Sequence, residues 1–416
     1  MIERDLVVIG GGAAGMSAAI SAYENGIKDI LVLEREDHLG GILHQCIHNG
    51  FGLNHYKEEL TGPEYAYRHI QELEERNIEY KLLSQVLSIK PTKIITYSNP
   101  TDGVVEIKAK AIIVATGSYE RTAGAIRLPG DRVSGVTTAG TVQKIINTTG
   151  YITGKRIVIL GSGDIGLIMA RRLTLEGAKV LCVAELMPYS NGLERNIVQC
   201  LKDYDIPLYL STTVSDVKGK ERVEKVVLSK VDENLKVIPG TEKEFECDCL
   251  VLSVGLLPQT SLFDNLKVHF ARNKGVVVNE HLESEVEGIF SCGNALHIHD
   301  LVDYVSEEGK IAGEGAAQYI KKELERGENI SINAYNGISY VVPNLINMKN
   351  NDDVNVKFRV RKPSKQATFI IKDENDNVLF KRPLLGPLPS VMYSYQIKMD
   401  VLKNAKELKA ELIDER

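Results

Sequence analysis

The chain has 416 residues, enough for about two to four domains, and 43% hydrophobic with 25% charged residues is the balance of a folded globular protein. A net charge of −6 argues against nucleic acid as a partner, and no apolar run is long enough for a membrane-spanning helix. Without a basic start and secretory apolar segment, the expected location is the cytoplasm. Six cysteines are present and none forms a C-x-x-C pair, so most are expected to be buried thiols.

Leu6-Val7-Val8-Ile9 reads as a buried parallel strand, and Gly10-Gly11-Gly12-Ala13-Ala14-Gly15 follows at once. Met16 to Tyr23 then reads as a helix. This is G-x-G-x-x-G between strand and helix, which offers backbone N–H groups to a pyrophosphate. Ile30 to Leu33 is a second strand ending in Glu34, which lies 34 − 15 = 19 residues after the third glycine. A ribose hydroxyl acceptor belongs at that distance.

The segment Gly40 to Gly52 is glycine-bounded and carries His44, Cys46 and His48. Tyr65 to Arg76 has helical spacing, with Tyr65, His69, Leu73 and Arg76 on one side. Tyr80 to Ile89, Lys93 to Tyr97 and Val104 to Lys108 read as antiparallel strands, and Ala111 to Ala115 as a buried one broken by Thr116-Gly117-Ser118. After Leu128-Pro129-Gly130 the opening pattern returns. Arg156 to Leu160 is a strand, Gly161-Ser162-Gly163-Asp164-Ile165-Gly166 a second glycine turn, Leu167 to Leu175 a helix, and Val180 to Ala184 a strand ending in Glu185. The spacing is again 185 − 166 = 19 residues. Leu250 to Gly255 and Gly288 to Asn294 are further strand-to-turn segments, and a helix is expected from Val302 to Arg326 with Gly327 as its stop. Beyond it, short β-like runs (Tyr340–Leu345, Asn355–Arg361, Ala367–Lys372, Val378–Lys381, Tyr393–Met399) predict a small all-β domain.

The expected fold class is α/β: two Rossmann-like dinucleotide folds, the second inserted into the first, plus that C-terminal β domain. The expected divisions are 1–120 and 250–330 for the first fold, 121–249 for the inserted one, and 331–416 for the β domain. The paired fingerprints resemble those of the pyridine nucleotide–disulfide oxidoreductases over roughly residues 1–330. That resemblance implies FAD on the first fold, at Gly10, Gly12, Ala14, Gly15, Glu34, Gly41, Ala115, Thr116, Gly117, Gly293 and Asn294. It implies NADH on the second, at Gly161, Gly163, Ile165, Gly166, Glu185 and Gly255.

Two residues depart from the family pattern. Asn294 stands where the family has an acid reaching the flavin ribityl chain. Cys46 stands alone after Gly40-Gly41, without the second cysteine of a redox disulfide. The segments Thr116-Gly117-Ser118-Tyr119-Glu120-Arg121 and Leu128-Pro129-Gly130 resemble those of flavoprotein subunits of multi-subunit amine, amino-acid and opine dehydrogenases and of the companion flavoproteins of anaerobic glycerol-3-phosphate dehydrogenases, and this resemblance implies action beside another redox subunit.

By the same resemblance the loops carrying His44, Cys46 and His48, and His297 and His299, approach the flavin. They are candidate catalytic groups, because histidine titrates near neutral pH and a thiol beside flavin could cycle through sulfenic acid. Buried structural roles are the alternative, and no metal site is expected from His44, Cys46 and His48. The expected function is reduction of FAD by NADH, with electrons passing to an acceptor or partner subunit. The alternatives are a dehydrogenase subunit running the other way, or a flavin-carrying assembly module. A homo-oligomer is left open.

Overall fold

The opening apolar run forms the strand Ile2–Ile9, and its last four residues are buried. In this computed structural model, which describes residues 2–414, it lies parallel to Ile30–Leu33 on one side and Gly103–Val114 on the other. Val8 stands opposite both Val32 and Ile113. Strands buried on both faces need no polar alternation, which is why they read as continuous apolar runs. The sheet has seven strands. On its edge away from Ile2–Ile9, Gly103–Val114 serves two partners, an antiparallel one (Ile94–Asn99) in its first half and a parallel one (Ile289–Ser291) in its second. The two strands expected from Val104 to Lys108 and from Ala111 to Ala115 are therefore one. Conversely, the run expected from Tyr80 to Ile89 is broken into Glu79–Lys81 and Gln85–Ile89. Leu83 turns left-handed between them and donates its N–H to the Glu36 carbonyl.

The helix Ala13–Glu24 packs on the helix Val302–Lys321 nearly backbone to backbone. A side chain at Gly309 or Gly313 would strike the carbonyls of Ala14 and Ala18. At the same close approach, Ser17 donates to the Ser306 carbonyl at 2.6 Å and Ser21 to that of Lys310 at 3.0 Å. The long helix ends at Lys321 rather than Arg326, because Lys322 adopts a left-handed conformation (φ 62°) that reverses the chain.

The chain forms two compact units, one of residues up to Ser118 together with those from Pro258 onward, the other Tyr119–Leu257. In the second unit five parallel strands run in the order Val136–Thr138, Cys249–Leu252, Arg156–Leu160, Lys179–Ala184, Leu208–Tyr209. A three-stranded antiparallel sheet (Thr212–Gly219, Val223–Lys230, Lys243–Glu246) accompanies them. The return to the first fold thus comes at 257–258 and not at 250. Cys249–Leu252 is a central strand of the inserted sheet, and Ser253 just after it packs under the second glycine turn.

The C-terminal residues form two sheets, of five and three strands. They share their own apolar core, in which the rings of Phe358 and Phe369 stack 3.9 Å apart. Two strands, Asn329–Ala334 and Glu407–Asp414, lie outside the expected runs, and the run expected from Tyr340 to Leu345 divides into Ile338–Val342 and Leu345–Asn347. The expected separation of 331–416 also differs from the finding that these residues belong to the first unit. The physical reason is the strand Val354–Val360. Val354, Val356, Phe358 and Val360 enter the β core, while Lys357 and Arg359 on its other face bond to residues of the first fold.

Candidate cofactor and redox site

Each glycine turn is shaped by the strand end beneath it. A Cβ on Gly10 would collide with the Ala115 carbonyl, and one on Gly161 with that of Ser253. Both glycines hold φ near 100°, which only glycine adopts without strain. The middle glycines differ: a Cβ on Gly12 meets nothing within 4 Å, and one on Gly163 meets only the Ser253 hydroxyl at 3.8 Å. Neither following helix has a side-chain cap on its first turn. Open space over uncapped helix N–H groups is the cradle a pyrophosphate requires, so the residues present fit two dinucleotides.

The two acids at the strand ends are buried and similarly held. Glu34 accepts from the N–H of Gly11 at 2.6 Å and of Glu36 at 2.9 Å. Glu185 accepts from the Ser162 N–H at 2.9 Å, the Ser162 hydroxyl at 2.6 Å and the Met187 N–H at 2.9 Å. A carboxylate has about four acceptor sites, so both keep capacity for a ribose hydroxyl.

Around the first turn the structure gathers several expected residues. Gly41 lies against Gly12, and the Gly40 N–H bonds to the Gly11 carbonyl at 2.8 Å. Gly293 sits against Ala14, leaving no room for a side chain between them. Thr116 donates its hydroxyl to the Gln259 carbonyl at 2.8 Å, and Gly117 turns left-handed beside it. Asn294 accepts the His299 N–H at 3.0 Å, and its two amide N–H donors have no protein partner among the described residues. In the second unit, Ile165 packs on the apolar core and Gly255 accepts from the Arg121 N–H at 3.0 Å.

The five candidate catalytic groups fall into two sets. In the loop after Gly41, His44 bonds through Nε2 to the Leu39 carbonyl, and His48 bonds through Nδ1 to the Asn49 carbonyl at 3.0 Å. The Cys46 thiol points to the Ile42 carbonyl at 3.4 Å, and burial pushes its pKa up to about 11. At that value the nucleophilic thiolate is scarce near neutral pH. All six cysteines are free.

The second set is a buried ionic network. His297 Nε2 lies 2.7 Å from Glu308 Oε1, and His299 Nε2 lies 3.3 Å from Glu308 Oε2. The Gly293 N–H donates to the same Oε2 at 2.9 Å, and the Lys357 ammonium to Oε1 at 2.9 Å. Burial lowers the His297 pKa to about 4, so the ring is neutral near pH 7. Burial alone would raise the Glu308 carboxyl, but His297 and Lys357 hold it well below the usual range. His297, His299 and Glu308 have the donor set of a metal site. The lysine, however, already supplies the positive charge a metal would bring. Beside the network, Arg359 pairs with Asp300 and donates to the Ile298 carbonyl at 3.0 Å.

The matching family model is that of the pyridine nucleotide-disulphide oxidoreductases, and it matches residues 4–316. The chain belongs to this family. Membership makes it an oxidoreductase that uses FAD and NAD(P)H. Among curated relatives it is similar to thioredoxin reductase of Bacillus subtilis, 24% identical over 332 residues, which are 77% of this chain and 96% of that one. Among solved structures it is similar to thioredoxin reductase of Lactococcus lactis, with a TM-score of 0.61 and 21% identity over 77% of this chain and 99% of the other. It is also similar to L-proline dehydrogenase of P. horikoshii, with a TM-score of 0.52 and 19% identity over 77% of this chain and 56% of the other. The family match ends before Lys357 and Arg359.

Glu308, Lys357 and Arg359 escaped the sequence reading. Glu308 looks like one more polar residue in a long helix, and the Lys357–Arg359 alternation reads as the solvent face of a strand. The helical spacing puts His69 on one side with Tyr65 and Leu73, but does not show its bonds to Tyr56 Oη at 2.7 Å and Ser306 Oγ at 3.2 Å.

Proposed function

We propose that this enzyme takes a hydride from NADH onto FAD and passes the electrons to an acceptor outside the chain, on a partner redox subunit, rather than through a disulfide of its own. The observation that carries this reading is the state of the thiols. Cys46 is the one cysteine in the loop after the glycine pair, it is free, and burial disfavours its thiolate. The fold does not decide the matter, since both disulfide reductases and an amino-acid dehydrogenase share it.

In this reading Gly10, Gly12, Gly15 and Glu34 hold FAD, which when bound supplies the two-electron redox chemistry. Gly161, Gly163, Gly166 and Glu185 hold the nicotinamide nucleotide. Glu185 favours the 2′-hydroxyl of NADH and repels a 2′-phosphate. No basic residue follows it until Arg195. The Asn294 amide offers donors to the flavin side chain. His297, neutral near pH 7, orients rather than charges the segment beyond Gly293.

The second reading, a dehydrogenase subunit that oxidises an amine, amino acid or glycerol-3-phosphate, uses the same residues in reverse. Thiol counting separates both from a disulfide reductase. Titratable cysteines in denaturant should be equal before and after anaerobic NADH treatment. A gain of two thiols per chain would overturn the proposal.

A further inference from the structure

The C-terminal β region has no counterpart in the family match, yet it sends one side chain into the most buried ionic network of the first fold. Lys357 is 6% exposed and Glu308 is fully buried. Glu308 comes from the helix Val302–Lys321, His297 and His299 from the segment after Gly293, and Lys357 from the strand Val354–Val360. Both Glu308 oxygens are occupied, Oε1 by His297 and Lys357, Oε2 by the Gly293 N–H with His299 beside it.

We propose that Lys357 is a positioning residue for the cofactor turn: its ammonium is the counter-charge of the Glu308 carboxylate, and Glu308 in turn fixes the Gly293 N–H and hence the Gly293–Asn294 turn. This rests on the reading that this turn meets the flavin. A fully buried carboxylate that loses its lysine counter-charge must take up a proton or draw in water. Either change weakens its grip on the Gly293 N–H. Gly293 has no slack to absorb that, because it is pressed against Ala14 on the first glycine helix. His297 cannot replace the lysine, since burial keeps it neutral. The β region therefore reaches the Gly293–Asn294 turn through Lys357, beside the separate tie of Arg359 to Asp300 and the Ile298 carbonyl, and its alternating strand is apolar on the face that makes its own core and cationic on the face that makes these ties.

The test compares Lys357→Met, Lys357→Arg, Glu308→Gln and the double variant Lys357→Met/Glu308→Gln as full chains. Readouts are FAD content after purification, the Kd for added FAD, far-ultraviolet circular dichroism, and metal content of the wild type. Lys357→Met should weaken FAD by at least about tenfold while the chain stays folded, because it leaves a buried charge unpaired. Lys357→Arg should keep most of the affinity. The double variant should recover most of what Lys357→Met loses, since no uncompensated carboxylate remains. Wild-type affinity in folded Lys357→Met, or no recovery in the double variant, would overturn the inference. So would a stoichiometric divalent metal in the wild type.

If Lys357→Met is insoluble, a soluble, FAD-loaded double variant supports the proposal and an insoluble one contradicts it. Asn294→Leu separates this inference from the reading beneath it. If Asn294→Leu keeps wild-type FAD affinity, the turn is not at the flavin and both fall. If Asn294→Leu loses FAD and Lys357→Met does not, only the role of Lys357 falls.

Discussion

The two glycine turns solve one backbone problem with different furnishings. In both, a strand end lies so close beneath the first glycine that no Cβ fits, and an acid 19 residues after the third glycine takes backbone N–H groups. Around the first turn the surface is bare backbone: Gly11 donates to Glu34, and the following helix begins with Ala13 and no acid. Around the second, Ser162 adds a hydroxyl bond to Glu185, and Asp164 stands in the first helical turn, accepting from Leu193 N–H and Asn196. A bare turn leaves more of the helix N-terminus to an anion, while a carboxylate there opposes one. The contrast suits a cofactor that stays on the first fold and a nucleotide that exchanges on the second.

The largest expected effect comes from filling the open side of either turn. Gly12 has φ −77° and Gly163 has φ −67°, so a side chain at either position costs no backbone strain. Gly12→Glu should reduce FAD affinity on the order of a hundredfold or more, by placing a carboxylate against the pyrophosphate. Gly163→Glu should leave FAD in place and abolish reduction by NADH, as measured by flavin absorbance. The comparison breaks if the two variants lose the same cofactor.

A pH series sharpens it next. All nine histidines lie in the first unit and none in Tyr119–Leu257. His297 and His69 have folded pKa values lowered by burial to about 4 and about 3. The unfolded chain therefore binds protons first as pH falls below about 6.5. Stability of the first unit should be full above that pH and fall by several kcal/mol toward pH 4. Hydrogen exchange at pH 7 and pH 5 should show protection lost in the first unit before the second. Equal loss in both would contradict the assignment.

Smaller effects follow at single residues. Glu185→Ala should weaken NADH by roughly 1–3 kcal/mol and NADPH by less, measured as apparent affinity in flavin reduction. Cys46→Ser should leave that reduction within tenfold of the wild type, less than about 1.4 kcal/mol in barrier. A greater loss would bring the thiol into the reaction.

Both dinucleotide folds were legible because their signal is local. Strand, glycine turn, helix and acid fall within about 30 consecutive residues, and each residue type answers a backbone or phosphate demand. The crossing points were less legible. Cys249–Leu252 reads as a strand in sequence, but only its pairing with Arg156–Leu160 assigns it to the inserted sheet. The buried network was not legible, because Glu308, His297 and Lys357 are distant in sequence and each looks ordinary in its own element. Lys357 carried a misleading signal: period-two polarity normally marks a solvent face, and here it marks a face laid on a buried carboxylate.

The most direct measurement is anaerobic stopped-flow reduction of the purified protein, followed at the flavin absorbance, with NADH and NADPH at equal low concentrations. The account predicts rapid loss of the oxidised flavin band with NADH and slower loss with NADPH, with no disulfide substrate needed. A colourless protein that cannot be reconstituted with FAD, or equal rates with the two nucleotides, would contradict it.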